Sequence, residues 1–230
     1  MEEKTFEELK YLISYPEGFQ KDKKYPLVIF LHGAGFRDET TDRLQKNACV
    51  TNFLKRQDAR GYVFLAPLCK SGNWYEWMSV LVSLVKTYRE MSYIDETRVH
   101  LTGNSMGGYG TWALATLHPN WFASAMPISG GGIGAFAMNL INLPVRAFHG
   151  LRDKTVDPIE SLQMVKAVNM YGGHAELILF PELEHNCWDE VYSDEKNYDW
   201  LLSFTANPDQ SLVEDLSTTY YGNKKISNNC

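Results

Sequence analysis

Near the middle of the chain an apolar run stops at a serine framed by glycines, Val99-His100-Leu101-Thr102-Gly103-Asn104-Ser105-Met106-Gly107-Gly108-Tyr109-Gly110. A β-type run, Arg98 to Thr102, leads straight into a helix-compatible run, Met106 to Leu117, which stops at His118-Pro119 because proline cannot continue a helix. A strand that bends into a helix over so few residues has no space for side chains at the bend, and Gly103 and Gly107 remove them. The pattern predicts a nucleophile elbow, with Ser105 in a strained backbone conformation and its hydroxyl pointing outward. The five residues G-x-S-x-G alone are a weak signal, and the flanking strand and helix supply the specificity.

The elbow implies more strands around it. Tyr25-Pro26-Leu27-Val28-Ile29-Phe30-Leu31 is a continuous apolar run of strand length, the mark of a strand buried on both faces of a parallel sheet. Gly61 to Pro67, Phe122 to Ser129, Val145 to Phe148 and Glu176 to Phe180 read as further strands, and Leu9 to Tyr15 as an antiparallel edge. Helices are expected at about Thr41–Gln57, at about Glu76–Met91, from Ile159 to Met170 with a stop at Gly172-Gly173, and from near Asp194 to Phe204. This alternation predicts an α/β chain, a mostly parallel sheet with helices on both faces. With 230 residues, 44% of them hydrophobic, one domain over residues 1–205 is expected. Residues 206–230, rich in Ser, Thr, Asn and Asp, are expected to be a mobile tail.

Charge and cysteine content narrow the function classes. A formal net charge of −6 argues against a phosphate-backbone partner, so no nucleic acid is expected. The amino terminus carries no apolar leader-like segment and no run approaches a membrane span, so a cytoplasmic protein without a membrane partner is expected. Cys49, Cys69, Cys187 and Cys230 are scattered, with no C-x-x-C spacing, and are read as thiols outside any disulfide or zinc site. No metal and no cofactor is expected, and an oligomer remains open.

A serine hydroxyl is a poor nucleophile at neutral pH and needs a base within hydrogen-bond reach, itself oriented by a third group. In sheets built around such an elbow the partners follow the serine in the order acid, then histidine, which sets aside His32 and His100. His118, His149 and His174 are more simply structural. His185 lies in the loop leaving the carboxyl end of the last strand, the sheet edge where open α/β folds place ligands, and is the candidate base. The acid should leave the preceding strand, where Asp153 and Asp157 compete. Asp157 stands before Pro158 and a helix and doubles as an N-cap, so Asp153 is preferred, with Asp157 the alternative. Backbone amides for an oxyanion are expected from Met106 and, in the His32-Gly33-Ala34-Gly35 turn, from Ala34, with Gly35 as fallback. Trp74, Tyr75 and Trp188 are candidate substrate-binding residues flanking the cleft, with core packing the competing reading for Trp74.

Taken in order, Gly103-Asn104-Ser105-Met106-Gly107-Gly108, His32-Gly33-Ala34-Gly35, Phe148-His149-Gly150-Leu151-Arg152-Asp153 and the His185 loop resemble the α/β-hydrolase esterases over roughly residues 9–205. Within them the chain is most similar to the lid-poor group of feruloyl and acetyl-xylan esterases, polyhydroxybutyrate-depolymerase-like enzymes and carboxylesterase-type phospholipases. The resemblance implies an α/β-hydrolase fold with no large cap domain. It also implies a serine esterase that uses a Ser-His-Asp triad and an acyl-enzyme on small-molecule or carbohydrate-linked esters, feruloyl or acetyl esters of plant carbohydrates among them. The chain departs from the family where Asp153-Lys154-Thr155-Val156-Asp157-Pro158 replaces the usual Asp-Pro-x-Val-Pro, and in its polar tail. Two other readings stand beside this one. A peptidase of the oligopeptidase type usually carries a large filtering domain, and a non-catalytic binding module usually lacks a triad member.

Overall fold

A computed structural model describes residues 1–37 and 39–207. The expected tail therefore lies almost wholly outside the described residues. Among the described residues eight strands form one sheet: β1 (Glu2–Phe6), β2 (Leu9–Ser14), β3 (Tyr25–Leu31), β4 (Val63–Pro67), β5 (Ile94–Asn104), β6 (Ser124–Ile128), β7 (Val145–Gly150) and β8 (Ala175–Phe180). Their spatial order is β1-β2-β4-β3-β5-β6-β7-β8. β1 and β2 run antiparallel at one edge, and every pairing from β4 to β8 is parallel.

Among the described residues seven α-helices cover the sheet: α1 (Thr41–Gln45), α2 (Ala48–Arg60), α3 (Met78–Arg89), α4 (Met106–Leu117), α5 (Ile159–Met170), α6 (Trp188–Ser193) and α7 (Glu195–Leu202). The unbroken apolar run of β3 divides by alternation between two cores. Leu27, Ile29 and Leu31 join Leu84 of α3, Trp112 of α4 and Val165 of α5, whereas Val28 and Phe30 join Phe53 of α2, Tyr192 of α6 and Leu201 of α7. A strand buried on both faces can carry no polar face, which is why its sequence does not alternate.

The expected strands and most helices are present, with local differences. The helix expected over Thr41–Gln57 is two, because the Asn47 side chain accepts the Cys49 N–H at 2.7 Å and caps a fresh start. The last helix is likewise preceded by α6, with Asp194 capping α7 by accepting from the Lys196 N–H at 3.0 Å. β1 was not anticipated. Its charged residues Glu2, Glu3 and Lys4 suit an exposed edge strand and hide its β character. Between β6 and β7 there is only a 3₁₀ stretch, Gly134–Leu140, which leaves the carboxyl edge of the sheet uncapped there.

Candidate active site

β5 ends at Asn104 and α4 begins at Met106, so the whole change of direction falls on Ser105. Its φ is 55° and its ψ −119°, a region that side-chain-bearing residues seldom occupy. The Ser105 N–H donates to Ile128 O at 2.9 Å, which ties the strained residue to the end of β6. The bend is possible because a Cβ on Gly107 would collide with the carbonyls of Leu31 and His32, so only glycine lets α4 press against the end of β3.

The structure brings the three predicted chemical residues together. His185 Nε2 lies 2.8 Å from Ser105 Oγ, and His185 Nδ1 lies 2.6 Å from Asp153 Oδ2. A carboxylate only accepts, so Nδ1 carries the proton and Nε2 presents a lone pair to the serine hydroxyl. Asp153 is buried, and its other oxygen accepts the Thr155 N–H at 2.8 Å and the Val156 N–H at 2.9 Å. Burial raises its pKa, but the hydrogen bonds from His185, Val156 and Thr155 outweigh that and hold it below the usual carboxylate range. Asp157 is elsewhere employed, its Oδ1 accepting the Ile159 N–H at 2.9 Å at the start of α5. Of the two aspartates, only Asp153 meets His185.

The site also uses residues that sequence reasoning left as structural. His149, fully buried, places Nε2 3.1 Å from Asp153 Oδ2, so this one oxygen faces two imidazoles. His149 sits four residues before Asp153 across a turn, and its Nδ1 lies 2.8 Å from Ser161 Oγ of α5. Ser129, at a φ of 47° just beyond β6, donates to His185 O at 2.9 Å and so fixes the loop that carries the base. Ser129 belongs to no recognisable motif, whereas His149 lies in the Phe148–Asp153 segment without a role of its own assigned there. The His149-to-Asp153 spacing was the one available signal.

Ala34 opens a 3₁₀ turn (Ala34–Phe36) and Met106 opens α4, so each amide is a first-turn N–H without a partner from its own helix. Gly33 brings the two turns together, since a Cβ on it would lie 3.4 Å from Ser105 Cβ. His32 holds the turn in place: its Nδ1–H donates to Gly33 O at 2.8 Å and its Nε2 accepts the Cys69 N–H at 2.9 Å. Burial pushes the His32 imidazole down to about 4, against the smaller opposite effect of its bond to Gly33, so it stays neutral in this role.

Trp74 is fully buried, and its indole N–H donates to His32 O at 3.0 Å. It therefore braces the turn from beneath and, although it borders the cavity of Asn73, Tyr75, Met106 and Tyr109, exposes no ring face there, which corrects the expectation of a substrate wall at this residue. Tyr75 is half exposed and shares a cavity with Asn73, Met106 and Tyr109, on the rim next to the serine. Trp188 meets His185 edge-on, with ring centroids 5.2 Å apart. Among the described residues no group of three His, Cys, Asp or Glu side chains could hold a metal ion, and no helix is long and apolar enough to cross a membrane.

The chain is similar to several known proteins. A probable feruloyl esterase C of Aspergillus terreus is 25% identical over 156 residues, covering 66% of this chain and 57% of the relative. A bifunctional acetylxylan esterase/xylanase of Neocallimastix patriciarum is 28% identical over 141 residues, covering 57% of this chain and 20% of the relative. The chain thus spans little more than half of one and a fifth of the other. The crystal structure of a thermostable esterase superposes with a TM-score of 0.76 at 30% identity, over 86% of this chain and 59% of that one. Residues 38–199 match the sequence profile of the dienelactone hydrolase family, so the chain, with its eight-stranded, mostly parallel sheet of α/β-hydrolase type, belongs to that family.

Proposed function

We propose that this chain is a carboxylic ester hydrolase that works through an acyl-enzyme on Ser105. The observation that carries the reading is the continuous hydrogen-bond line Ser105–His185–Asp153, with heavy-atom distances of 2.8 and 2.6 Å. In this reading His185 Nε2 takes the Ser105 proton as Oγ attacks the ester carbonyl, and Asp153 stabilises the imidazolium that forms. The Met106 and Ala34 amides receive the oxyanion, aided by the positive end of α4. His185 returns the proton to the departing alcohol, and water then releases the acid by the same steps. Gly35 sits one residue too far along the turn to open it, which favours Ala34 as the second donor.

The names of the relatives, a feruloyl esterase and an acetylxylan esterase, suggest the first substrates to try, namely feruloyl and acetyl esters of plant carbohydrates. The short β6–β7 connection supports such a substrate class, because an open edge admits an ester hanging from a larger molecule. Trp188 and Tyr75 would flank it. A cytoplasmic location is part of the same proposal, supported by the scattered spacing of the cysteines, which forms no C-x-x-C pair.

A serine-directed phosphonate tests the mechanism. Peptide mass spectrometry is expected to place a single adduct on Ser105, with ester turnover lost in parallel. An adduct on another residue, or full turnover in Ser105→Ala, would overturn it.

A further inference from the structure

His149 stands near the end of β7, on the same face as Val145 and Ala147, which α5 covers. Its ring is fully buried and both nitrogens have partners. Nδ1 lies 2.8 Å from Oγ of Ser161, in the first turn of α5, and that hydroxyl donates to Gly130 O at 2.7 Å. Nε2 lies 3.1 Å from Asp153 Oδ2 and 3.0 Å from Val156 O. A carbonyl and an ionised carboxylate only accept, so Nε2 carries a hydrogen and shares it between them. The line of hydrogen bonds that starts at Ser105 therefore does not end at the acid. It runs on through His149 and Ser161 to Gly130, which is packed so closely on α4 that a Cβ there would collide with Gly108 and the Tyr109 nitrogen.

The surroundings of Asp153 show what the added bond does. A carboxylate offers about four acceptor positions. Here the Thr155 and Val156 N–H groups take one oxygen, and His185 Nδ1 and His149 Nε2 take the other. Packing of β7 on α5 would be served by a bond from His149 to Val156 O alone, yet the ring also reaches the one oxygen on which the base depends. Two donors on one oxygen divide its charge between them, so each is held less strongly than it would be alone. A weaker hold on the Nδ1–H stabilises the His185 imidazolium less, and the base is then free of its second proton at a lower pH.

We propose that His149 is a positioning residue of the reaction, whose Nε2–H limits the pull of Asp153 Oδ2 on His185 and so extends turnover to more acidic conditions. The proposal rests on the ester-hydrolase reading and deepens it at the same site. The other titratable groups facing this array come from α4, α5 and the loop after β8. The Tyr109 phenol is pushed up by burial and by Glu160, Tyr75 and Asp153 near it, and the Cys187 thiol, 3.2 Å from Ser129 Oγ, is pushed up to about 11 by burial. Both keep their protons wherever His185 titrates. Glu160 of α5, which acts on Tyr109, is unchanged in every variant compared. Lys154 and Glu184, the chain neighbours of Asp153 and His185, are exposed, and solvent screens them.

The experiment follows kcat/KM for nitrophenyl acetate against pH in the wild type, His149→Asn and His149→Gln. Glutamine is long enough to set an amide nitrogen where Nε2 stands and keeps a donor for Asp153, whereas asparagine reaches only the position of Nδ1 and loses it. The acid limb reports the base of the free enzyme. In His149→Asn the limb is expected to move up by about one pH unit, the low end of what one bond to a charged group is worth, which is about a tenfold loss at a fixed pH below the limb. His149→Gln is expected to bring it most of the way back. The position of the limb does not depend on how much of a preparation is folded, so a loss of stability in either variant leaves it readable. Ser161→Ala, which frees the ring at its other edge, is expected to move the limb in the same direction by less. Absence of Ser105-dependent acetate turnover in the wild type would overturn the ester-hydrolase reading itself. Turnover with a limb that stays in place in His149→Asn, or that moves equally in His149→Asn and His149→Gln, would overturn the role of His149 alone. Should both His149 variants be insoluble, a Ser161→Ala limb identical to that of the wild type would overturn it as well.

Discussion

Asp153→Asn probes the site most sharply, because the four hydrogen bonds around the carboxylate dictate how the amide must sit. One carboxylate oxygen accepts the Thr155 and Val156 N–H groups and the other faces His185 and His149. The amide oxygen has to keep the two backbone donors, which cannot turn away, so the NH₂ group is driven toward His185. His185 Nδ1 must then accept, its proton moves to Nε2, and Nε2 can no longer take the serine proton. The same exchange in the trypsin triad lowers kcat about 10⁴-fold, roughly 5 kcal/mol of transition-state stabilisation, and a loss of that order is expected here. Stability changes far less. Two of the four bonds survive, and replacing charge-assisted bonds costs about 1–3 kcal/mol, or a fall in Tm of a few degrees for a domain of this size. Asp157→Ala gives the opposite pattern: losing the Ile159 cap costs ~1 kcal/mol and leaves turnover in place. Nitrophenyl acetate kinetics and thermal melts of the two variants decide the matter. If Asp153→Asn keeps more than about a tenth of wild-type kcat, or if the activity loss follows Asp157, the argument for the acid fails.

Two further outcomes are expected. His32 is neutral in the fold, with its pKa pushed down to about 4 by burial, while in the unfolded chain it titrates near 6.5. Its contribution to stability is complete above about 6.5 and is withdrawn as the pH falls toward 4, by roughly 3 kcal/mol in all, because only the unfolded chain takes up the proton in that window. Urea melts across that range measure the slope, and a His32→Gln protein with an equally steep slope would refute the assignment. Gly107→Ala drives a methyl group into the Leu31 and His32 carbonyls, so α4 must lift from β3, at a cost of about 3 kcal/mol or more. A soluble variant with wild-type Tm would show that the elbow packs less tightly than described.

Much of this architecture could be read in the chain itself, for identifiable reasons. The strand Tyr25–Leu31 and the elbow at Ser105 are dictated by local rules, continuous burial in one case and steric exclusion in the other, and both are present as expected. Ser105, Asp153 and His185 could be named because chain order and strand ends limit where partners can lie. What escaped depended on neighbours distant in sequence. Trp74 looked available for stacking until its indole was found against His32 O, 42 residues away. Ser129 had no visible task until β6 was set beside the His185 loop, 56 residues on. β1 was hidden by its charges, which mark an edge only when the partner strand is known.

Ser105 and Ser129 have a joint consequence. Both carry positive φ values, and they sit at the ends of neighbouring strands β5 and β6. Backbone held this way stores about 1–3 kcal/mol at each position, against a total stability on the order of 5–15 kcal/mol. Relaxing either turn releases that energy while the eight-stranded sheet beneath remains paired, so the least costly opening of the molecule lies at its working edge. As denaturant is added, turnover should therefore cease before the fold does. The intermediate would be a folded, inert protein that regains activity on dilution without having to refold.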